Sequence, residues 1–504
     1  MSDGGAIYLD YAASTPVDPA VADAMDRCVR SEGGWGNPSS THPFGRRAAE
    51  WIEGARHEAA ALIGADPAQI VFTSGATESD NLAVLGAARA NRDRGRHVVS
   101  SRIEHKAVLD PCRRLQREGF EVTLIAPDRT GRIDPDAVAT ALRADTVLVS
   151  IMTVNNETGV IQDVAAIGAL CRARGILFHT DAAQAAGKIP VDVRASPIDL
   201  LSFTAHKLYG PKGVGALYVR SGARPQLQPV SFGGGQERGL RPGTLPTHQI
   251  VGFGVACALA REALPRESAR LFGLRESLWT ALTALGGTIL NGDGAARVPG
   301  ILNVSFDGVE GESLVTGLPE LAVSTGSACN SASAEPSYVL RALGRDTELA
   351  QSSLRFSFGR FSTAAELQLA AGVVRREVER LRALSPASEA PVRAPGPIAG
   401  PAGDSTEIVG EAGGPGQEAW VRFRLEVQDG LVRGAAFRAY GCPHTLAAAE
   451  WVTGCLRGRR RADLVPGTPA DWARSLAAPV EKLGRLLVIE DALRDCLRHW
   501  PEAV

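Results

Sequence analysis

A carboxylate and an amine each follow a short apolar run in the middle of the chain. Asp181 lies in the segment His-Thr-Asp-Ala-Ala-Gln, directly after the apolar run 176–178. Lys207 lies in the segment 202–213, which begins at the end of the run 200–203. Because ligands of open α/β sheets bind beyond the carboxyl ends of strands, both side chains are expected at one binding edge. Pyridoxal phosphate requires such a pair, a lysine for its Schiff base and an acid that keeps its ring nitrogen protonated.

The chain offers few other amines for this role. Its lysines are at positions 106, 188, 207, 212 and 482, and arginine carries the rest of the basic charge. Lys188 comes shortly before a proline, Lys212 lies in a Pro/Gly turn, and Lys106 directly follows His105. A lysine that must lose its proton suits a partly desolvated site. Alone, Lys207 would be a solvated surface lysine, and the hydroxyl and imidazole donors beside it favour the cofactor role instead.

A third segment has the features of a phosphate site. The sequence Thr-Ser-Gly-Ala-Thr-Glu at 73–78 follows the apolar run 69–72. Gly75 permits a tight turn, and Thr77 is predicted to cap the following helix, with Asp80 in a capping-box-like position. A helix N-terminus presents free N–H groups and the positive end of its dipole to an anion. Taken alone, such a segment more often marks an ordinary strand-to-helix turn.

The elements that would position these residues form an α/β pattern. Six apolar runs have the length of strands buried on both faces: 69–72, 97–100, 122–125, 146–150, 176–179 and 200–203. Helical patterns such as 78–91 and 164–174 lie between them. Crossover connections and a large, mostly parallel sheet are therefore expected. A smaller α/β unit is expected from about residue 261 to 384, with strands at 301–306 and 353–358.

Composition changes after the smaller unit. Residues 385–416 are rich in Pro, Gly, Ala and Ser, which is typical of a linker. A last α+β unit follows, in which 420–427 alternates apolar and charged residues and 431–440 returns after the hairpin-turn signal Asp429-Gly430. Helices are predicted near 444–456 and 486–499.

Four divisions of the chain follow from this pattern. They are a large cofactor-binding domain at 1–260, whose residues 1–15 pack with the small domain, a small α/β domain at 261–385, a linker at 386–417 and a last domain at 418–504.

Composition limits the classes of partner. A hydrophobic content of 44% and a net charge of -2 give no reason to expect nucleic acid or an anionic membrane surface. No apolar run is long enough to span a bilayer, and residues 1–11 lack the features of a secretion signal, so a cytoplasmic protein is expected. The 8 cysteines show no Cys-x-x-Cys and no zinc-type spacing. Neither a disulfide framework nor a metal site is expected.

Residues 6 to about 385 resemble the cysteine desulfurases of the housekeeping iron–sulfur-cluster branch, which are fold type I pyridoxal-phosphate enzymes. The resemblance rests on motifs in the family's order: Tyr8-Leu-Asp-Tyr-Ala, Trp35-Gly-Asn-Pro-Ser-Ser, Phe72-Thr-Ser-Gly-Ala-Thr-Glu-Ser-Asp-Asn81, Glu104-His-Lys-Ala-Val-Leu109, Val154-Asn-Asn-Glu157, Ala205-His-Lys-Leu-Tyr-Gly-Pro-Lys-Gly213, Gly233-Gly-Gly-Gln-Glu-Arg-Gly239 and Ser327-Ala-Cys329. It implies that the protein removes sulfur from L-cysteine, releases alanine and passes the sulfur to iron–sulfur scaffold or other acceptor proteins.

The resemblance also implies residue roles. Lys207 carries the cofactor and moves the α-proton, Asp181 pairs with the ring nitrogen, and Gln184 donates to the ring hydroxyl. His105 stacks on the ring and is a candidate acid–base group. The phosphate ligands implied are Ala76, Thr77, Thr204 and His206, joined by Thr244 from the other subunit of a homodimer.

Two further residues are implied for the substrate. Asn156 and Arg355 hold its carboxylate, and Asn156 also contacts the cofactor. A guanidinium fork matches a carboxylate, and Leu354 and Phe356 would face away from Arg355 on the same strand. The alternative for Arg355 is a salt bridge on the strand surface. Thr204 stands where the family commonly has serine, which keeps the hydroxyl.

Cys329 distinguishes a desulfurase from an aminotransferase, which needs no thiol. The residues around it, 324–334, are small and have little to bury, which predicts a mobile segment. The resemblance implies that the Cys329 thiolate attacks the substrate sulfur and carries the persulfide away. An incidental free thiol is the alternative. Asn330 departs from the hydroxyl residue often found after this cysteine, so the choice of partner can differ.

The last domain looks like a shortened, degenerate iron–sulfur scaffold domain. Ala436-Phe-Arg-Ala-Tyr-Gly-Cys442 resembles the strand that leads to a ligand cysteine at a helix start in that family. Gln417, Ala419 and Arg485 stand where the other ligands belong. One thiolate cannot hold a cluster that needs about four ligands. A docking or dimer-supporting module is preferred over a sulfur-accepting role for Cys442.

Two other functions remain as alternatives. A selenocysteine lyase or an aminotransferase is the alternative enzyme, and an inactive partner protein of cluster assembly is the alternative outside catalysis. The presence of Lys207, Asp181, His105, Arg355 and Cys329 argues against the inactive partner.

Overall fold

The computed structural model describes residues 5–30, 34–221, 227–325, 336–384, 405–414, 419–479 and 482–501. Its strands are β1 (Ile7–Tyr8), β2 (Ile70–Thr73), β3 (His97–Ser101), β4 (Glu121–Ile125), β5 (Thr146–Ser150), β6 (Leu177–Asp181), β7 (Leu200–Thr204), β8 (Gly215–Val219), β9 (Thr288–Leu290), β10 (Ile301–Phe306), β11 (Leu321–Ala322), β12 (Ser324–Thr325), β13 (Ser353–Ser357), β14 (Thr406–Gly414), β15 (Ala419–Gln428) and β16 (Leu431–Tyr440). Its α-helices are α1 (Pro19–Arg30), α2 (Pro43–Leu62), α3 (Ala76–Ala90), α4 (Lys106–Arg117), α5 (Pro135–Ala141), α6 (Val164–Ala173), α7 (Thr247–Thr283), α8 (Gly311–Thr316), α9 (Tyr338–Ala342), α10 (Thr347–Gln351), α11 (Ala364–Leu384), α12 (Pro443–Leu456), α13 (Pro469–Ser475) and α14 (Leu483–Arg498).

A sheet of seven strands, in the order β2-β8-β7-β6-β5-β3-β4, forms the centre of the large unit. Neighbouring strands from β7 through β4 pair in parallel, and β8 runs antiparallel to both of its neighbours. Each of the six predicted runs is a strand, shifted by one residue at most at its start. The predicted α/β class with a mostly parallel sheet is confirmed, and the carboxyl ends of β5, β6 and β7 meet at one edge.

The central strands are apolar because helices cover both faces of the sheet. Every residue of β5, β7 and β8 is buried. One cluster of buried side chains joins the sheet to α2 and α7, and a second joins it to α3 and α4. Burial on both faces is what parallel strands require, so the near-continuous apolar runs were a reliable signal.

Helix α7 is 37 residues long and connects the large unit to the small one. Its first half buries Ile250, Phe253 and Ala256 against the large unit, and its second half buries Leu278 and Leu282 in the core of the small unit. The predicted boundary between residues 260 and 261 therefore falls inside a continuous helix. The division at this point is a change from one core to another and not a break in the helix.

The small unit contains a four-stranded sheet in the order β12-β13-β10-β9, with α11 packed in the same core. The start of the chain belongs here, since β1 pairs in parallel with β11 and Asp10 forms a bridge with Ser357. The N-terminal segment therefore crosses from the small unit to the cavity of the large unit.

The C-terminal unit is an antiparallel sheet, β14-β15-β16, covered on one face by α12 and α14. The predicted hairpin turn is confirmed, because Asp429 and Gly430 have φ of 54° and 71°. Strand β14 corrects the prediction of a linker up to residue 417. It carries four Gly or Ala residues in its second half, a composition that suggests a linker, yet it pairs along its whole length with β15.

The C-terminal unit packs on the small unit through α8 and α11. Buried side chains of both units form one continuous apolar cluster. The Ser313 hydroxyl on α8 donates to the Gly441 carbonyl at 2.8 Å, in a buried position. Within the described part of the chain, no helix combines the length and apolarity needed to cross a membrane.

Candidate active site

A cavity of about 480 Å³ opens at the carboxyl ends of the parallel strands. The predicted cofactor and substrate residues that line it are Ala76, Thr77, His105, Asn156, Asp181, Gln184, Thr204, His206, Lys207 and Arg355. Thr244 is exposed and lies outside the pocket of its own chain. Cys329 lies outside the described residues, as do the small residues around it from 326 to 334.

Lys207 enters the cavity from a 3-10 turn, Ala205–Lys207, directly after β7. Its ammonium donates to the carbonyls of Ala12 and Ala13, the latter at 2.6 Å. Both carbonyls belong to the N-terminal segment that pairs with the small unit. Two segments far apart in sequence therefore fix the position of this amine.

Asp181 ends β6 and faces the same cavity. It is 6% exposed and accepts the Ala183 N–H at 2.8 Å. Burial, followed by the nearby carboxyl of Asp80, raises the pKa of the Asp181 carboxyl to about 7. A buried carboxylate needs a positive partner, and the protonated nitrogen of a pyridine ring would supply one. The donor set on this wall fits the ring of pyridoxal phosphate.

The N-terminus of α3 is available for an anion. Its N-cap is Gly75, which has φ of +151° and provides no side-chain cap. The prediction that Thr77 caps this helix is wrong, because Thr77 lies inside its first turn. The Glu78 carboxylate instead accepts the Ser74 N–H at 2.5 Å. The first helical N–H groups, with the hydroxyls of Thr77 and Thr204 nearby, therefore fit a phosphate.

Two histidines line the cavity. His105 is the N-cap of α4, and its Nδ1 accepts the Ala107 N–H at 3.1 Å, which assigns the proton of the neutral ring to Nε2. Burial, followed by the charges of Lys207 and Lys212, lowers the pKa of His206 to about 4. The His206 ring is therefore neutral near pH 7, with one nitrogen as a donor and the other as an acceptor.

Arg355 lies at the junction of the two units, on β13. Its Nη1 donates to the Asn156 carbonyl at 3.0 Å and its Nη2 to the Asp10 carboxylate at 2.7 Å. Two buried polar atoms here have no hydrogen-bond partner among the described residues, Arg355 Nε and Asn156 Oδ1. Buried polar groups are normally paired, so this wall is suited to a ligand that carries a carboxylate, with Asn156 turning its amide as needed.

The segment that contains Cys329 joins the described structure next to this wall. Strand β12 precedes it, and Ser324 pairs directly with Arg355 in the sheet. After the segment, the Ser337 hydroxyl donates to the buried Glu157 carboxylate at 2.5 Å. The Tyr338 hydroxyl donates to the Glu104 carbonyl at 2.7 Å. Both flanks are therefore fixed close to the cavity.

The loop that carries Thr244 is held by a buried ion pair. Glu237 accepts two hydrogen bonds from the Arg56 guanidinium at 2.8 Å each and one from the Phe72 N–H at 2.7 Å. The Glu237 side chain is 3% exposed and that of Arg56 is 9% exposed. Arg56 has a second carboxylate partner, Glu53, whose side chain is 55% exposed.

Glu237→Gln should therefore destabilise the fold far more than Glu53→Gln. Removing the buried carboxylate leaves a buried guanidinium without its counter-charge, at a cost of about 3 kcal/mol. The exposed pair contributes about 0.5 kcal/mol. Urea unfolding of the three proteins at one protein concentration measures the difference. Equal losses for both variants would show that the buried pair does not anchor the loop.

Sequence reasoning missed several residues of the cavity. Asp80 is buried beside it, where burial raises the pKa of its carboxyl to about 7, and Lys212 lines it from the turn after Lys207. Lys188, set aside because of the nearby proline, is a half-buried neighbour of Gln184. The spacing of four residues between Gln184 and Lys188 was the available signal, since such residues share a helical face.

Comparisons with known proteins place these features in one family. A family model described as aminotransferase class-V matches residues 7–369. The cysteine desulfurase IscS of Salmonella schwarzengrund (strain CVM19633) is 57% identical over 381 residues, which is 75% of this chain and 94% of the relative. The cysteine desulfurase IscS of Salmonella newport (strain SL254) gives the same identity and coverage.

Solved structures agree with this similarity. A NifS-like protein superimposes with a TM-score of 0.70 at 35% identity, covering 75% of this chain and 100% of that protein. SspA in complex with cysteine gives a TM-score of 0.63 at 39% identity, covering 71% of this chain and 99% of that protein. DndA from Streptomyces lividans gives a TM-score of 0.61 at 43% identity, covering 70% of this chain and 99% of DndA.

Proposed function

The chain belongs to the class-V aminotransferase family and, within it, to the cysteine desulfurases. On this basis we propose which residues of the pocket carry out the desulfurase reaction. Sulfur is removed from L-cysteine, alanine is released, and the sulfur is left as a persulfide on Cys329. The protein is a pyridoxal-phosphate-dependent cysteine desulfurase. The observation that carries the assignment of residues is the convergence of Lys207, Asp181 and Arg355 on one cavity. A related protein of known structure holds cysteine, which supports the substrate.

The cofactor would be held on three sides. Asp181 would pair with the ring nitrogen, and His105 would pack on the ring. The start of α3, with Thr204 and His206, would bind the phosphate. Bound pyridoxal phosphate supplies an electron sink for the charge left when the α-proton of the substrate is removed.

The residues of the chain then carry the reaction. Arg355 and Asn156 orient the substrate carboxylate, with Asp10 and the Asn156 carbonyl holding the guanidinium fork in place. The Lys207 amine accepts the α-proton. The Cys329 thiolate forms an S–S bond to the substrate sulfur as the bond between that sulfur and the β-carbon breaks. The β-carbon takes up a proton in place of sulfur, the α-carbon regains the proton that Lys207 removed, and the product is alanine.

The position of β12 supports the role of Cys329. Thr325 ends β12 beside the strand of Arg355. Cys329 is four residues further along, a distance of at most about 14 Å for an extended chain. A thiol at this position can reach the substrate held by Arg355 and can also leave the pocket toward an acceptor. Iron–sulfur scaffold proteins or other sulfur acceptors in the cytoplasm are the proposed recipients.

A homodimer completes the proposed site. Thr244 is exposed outside its own pocket, on a loop that the ion pair of Glu237 and Arg56 fixes to the large unit. We propose that this loop serves the pocket of a second copy and not its own. The exposed aromatic side chains Trp35 and Phe232, 69% and 82% accessible in the single chain, would find cover in the same contact.

Purification followed by two measurements tests the function. The visible absorption band of bound pyridoxal phosphate should be present, and L-cysteine should yield alanine and sulfide. Transfer of an amino group to a keto acid without sulfide would show an aminotransferase instead. A higher rate with selenocysteine than with cysteine would show a lyase, and a colourless, inactive protein would show an inactive partner.

The C-terminal unit fits a docking module better than a sulfur carrier. Cys442 is the N-cap of α12, as the resemblance to scaffold domains implies, but it is fully buried. Lys482 donates to the Glu312 carboxylate at 2.7 Å, and Arg485 lies 3.8 Å from the same group. Ala419 is also fully buried, while Gln417 lies outside the described residues. Among the described residues no group of three His, Cys, Asp or Glu side chains is arranged to hold a metal ion.

Persulfide mapping after turnover with L-cysteine should therefore find label on Cys329 and none on Cys442. The Cys442 thiol is fully buried and lies 3.4 Å from the Thr445 hydroxyl, so a persulfide cannot reach it without local opening of the structure around α12. Peptide mass spectrometry after alkylation measures both sites, with Cys442→Ser as the matched control for turnover. Label on Cys442 that depends on Cys329 would establish a relay and refute simple docking.

A further inference from the structure

A second amine lies behind Lys207. Residues 183–188 form helical turns after β6, with the Lys188 N–H donating to the Ala185 carbonyl at 2.9 Å. Gln184 and Lys188 are therefore on one side of these turns, and the Lys188 ammonium donates to Gln184 Oε1 at 2.5 Å. None of the reaction steps above uses this lysine.

The two amines are connected through one carbonyl. Gln184 Nε2 donates to the Ala12 carbonyl at 2.8 Å, and the Lys207 ammonium donates to the same oxygen. The hydrogen bonds thus run from Lys188 through the Gln184 amide to Ala12, where they meet Lys207. A change at Lys188 is transmitted to Lys207 through groups in direct contact.

A small cavity confirms how closely the two lysines lie. Lys188 and Lys207 both line a space of about 30 Å³ with Tyr11, Tyr209 and Glu267. This is enough room for about one water molecule. Burial, followed by the charges of Lys207 and Arg355, lowers the pKa of Lys188 to about 7, against the opposing effect of Glu267. Placing a charged lysine side chain here costs folding free energy, and a bulky apolar residue would stabilise the packing more.

The chemistry of an ammonium or amine explains what Lys188 contributes. A glutamine amide can present either its oxygen or its NH₂ group to the cavity. Lysine can only donate when charged, so Lys188 holds the Gln184 oxygen and turns the NH₂ group toward Ala12 and the pocket. An NH₂ group facing the pocket donates to an oxygen of the cofactor, whereas an oxygen facing it would repel one.

We propose that Lys188 is a positioning residue, which orients the Gln184 amide so that its NH₂ group faces the cofactor's ring oxygen and thereby sets the proton affinity at Lys207. The inference rests on the proposed function, since it concerns the same pocket. Loss of the donated hydrogen bond makes the ring oxygen more basic, and a proton shared with the nitrogen of Lys207 is then held more tightly. Loss of a positive charge beside Lys207 acts in the same direction.

The experiment is a pH titration of the visible absorption band of the purified holoenzyme, without substrate. Lys188→Met should move the midpoint upward by about one pH unit, a tenfold change in the protonation equilibrium. Gln184→Leu should give a shift of similar size. The double variant should shift no further than Lys188→Met alone, because that variant already removes both the orientation of the Gln184 amide and the charge beside Lys207. Lys482→Met, a lysine of the C-terminal unit, is the matched control and should titrate like the parent protein.

Lys188→Gln separates orientation from charge and from simple packing. It keeps an N–H donor without a charge, and its midpoint should lie closer to the parent protein than to Lys188→Met. If Lys188→Met fails to retain the cofactor, Lys188→Gln and Gln184→Leu are compared instead. The proposal then requires the midpoint of Gln184→Leu to lie above that of Lys188→Gln. An unchanged midpoint in Lys188→Met, or full additivity of the two single shifts, would overturn the proposal. A parent protein without any visible band would instead refute the proposed function.

Discussion

Replacement of Cys329 by serine is expected to leave the visible band of bound pyridoxal phosphate intact while alanine formation from L-cysteine falls more than about 10³-fold, equivalent to about 4 kcal/mol of transition-state stabilisation. A thiolate is the nucleophile in sulfur transfer, and a hydroxyl cannot replace it at neutral pH. The cofactor residues lie on the large unit and are unaffected by the change. Absorbance and an alanine assay on the same preparation measure both halves of the prediction.

Cys455→Ser is the matched control for this variant. Cys455 is the cysteine in the described part of the chain that is partly exposed, and it lies on α12, away from the cavity. It should keep full activity. Normal turnover by Cys329→Ser would remove this thiol from the reaction and leave the sulfur acceptor to be found elsewhere.

Replacement of Lys207 by alanine should abolish covalent attachment of the cofactor and lower turnover by about 10⁴-fold, the upper range for loss of an acid–base group. Borohydride reduction of the parent protein should fix the cofactor to one peptide, the one that contains Lys207. The variant should retain its cofactor only through non-covalent contacts with Asp181 and the start of α3.

The remaining lysines provide the control for this experiment. Lys482→Ala should be trapped by borohydride as fully as the parent protein, because Lys482 pairs with Glu312 far from the cavity. Trapping at Lys188 in the parent protein would assign the covalent role to the second amine and reverse the roles proposed for the two lysines.

Much of the fold could be predicted because burial on both faces leaves a simple signal. The strands from β2 to β7 are short apolar runs separated by helical patterns, and each was visible in the sequence. Strand β8 was not singled out, although all its residues are buried. Strand β14 was mistaken for linker because its Gly and Ala residues contribute backbone pairing rather than apolar side chains. The continuity of α7 was invisible because its two halves bury their residues in different cores.

The sequence predicted which residues line the cavity, but it did not predict the hydrogen bonds between them. Asp181 and Lys207 follow strands, and their convergence follows from the sheet. The hydrogen bonds from Arg355 to Asp10 and from Lys207 to Ala12 join residues about 200 or more positions apart. No local pattern encodes such pairs, since they depend on how the N-terminal segment crosses between units. The cap at Thr77 was wrong because Gly75 takes that position.

The N-terminal segment has a practical consequence. Residues 10–13 hold both the guanidinium that would bind the substrate and the amine that would carry the cofactor. Strand β1, Leu9 and the pairing of residues 10–12 with Ser357 tie this segment to the small unit. Proteolytic cleavage or a badly placed affinity tag at this end would misplace Arg355 and Lys207 together. Such a preparation would still look intact by circular dichroism or gel filtration. The fraction of sites that hold cofactor should therefore be measured for each preparation.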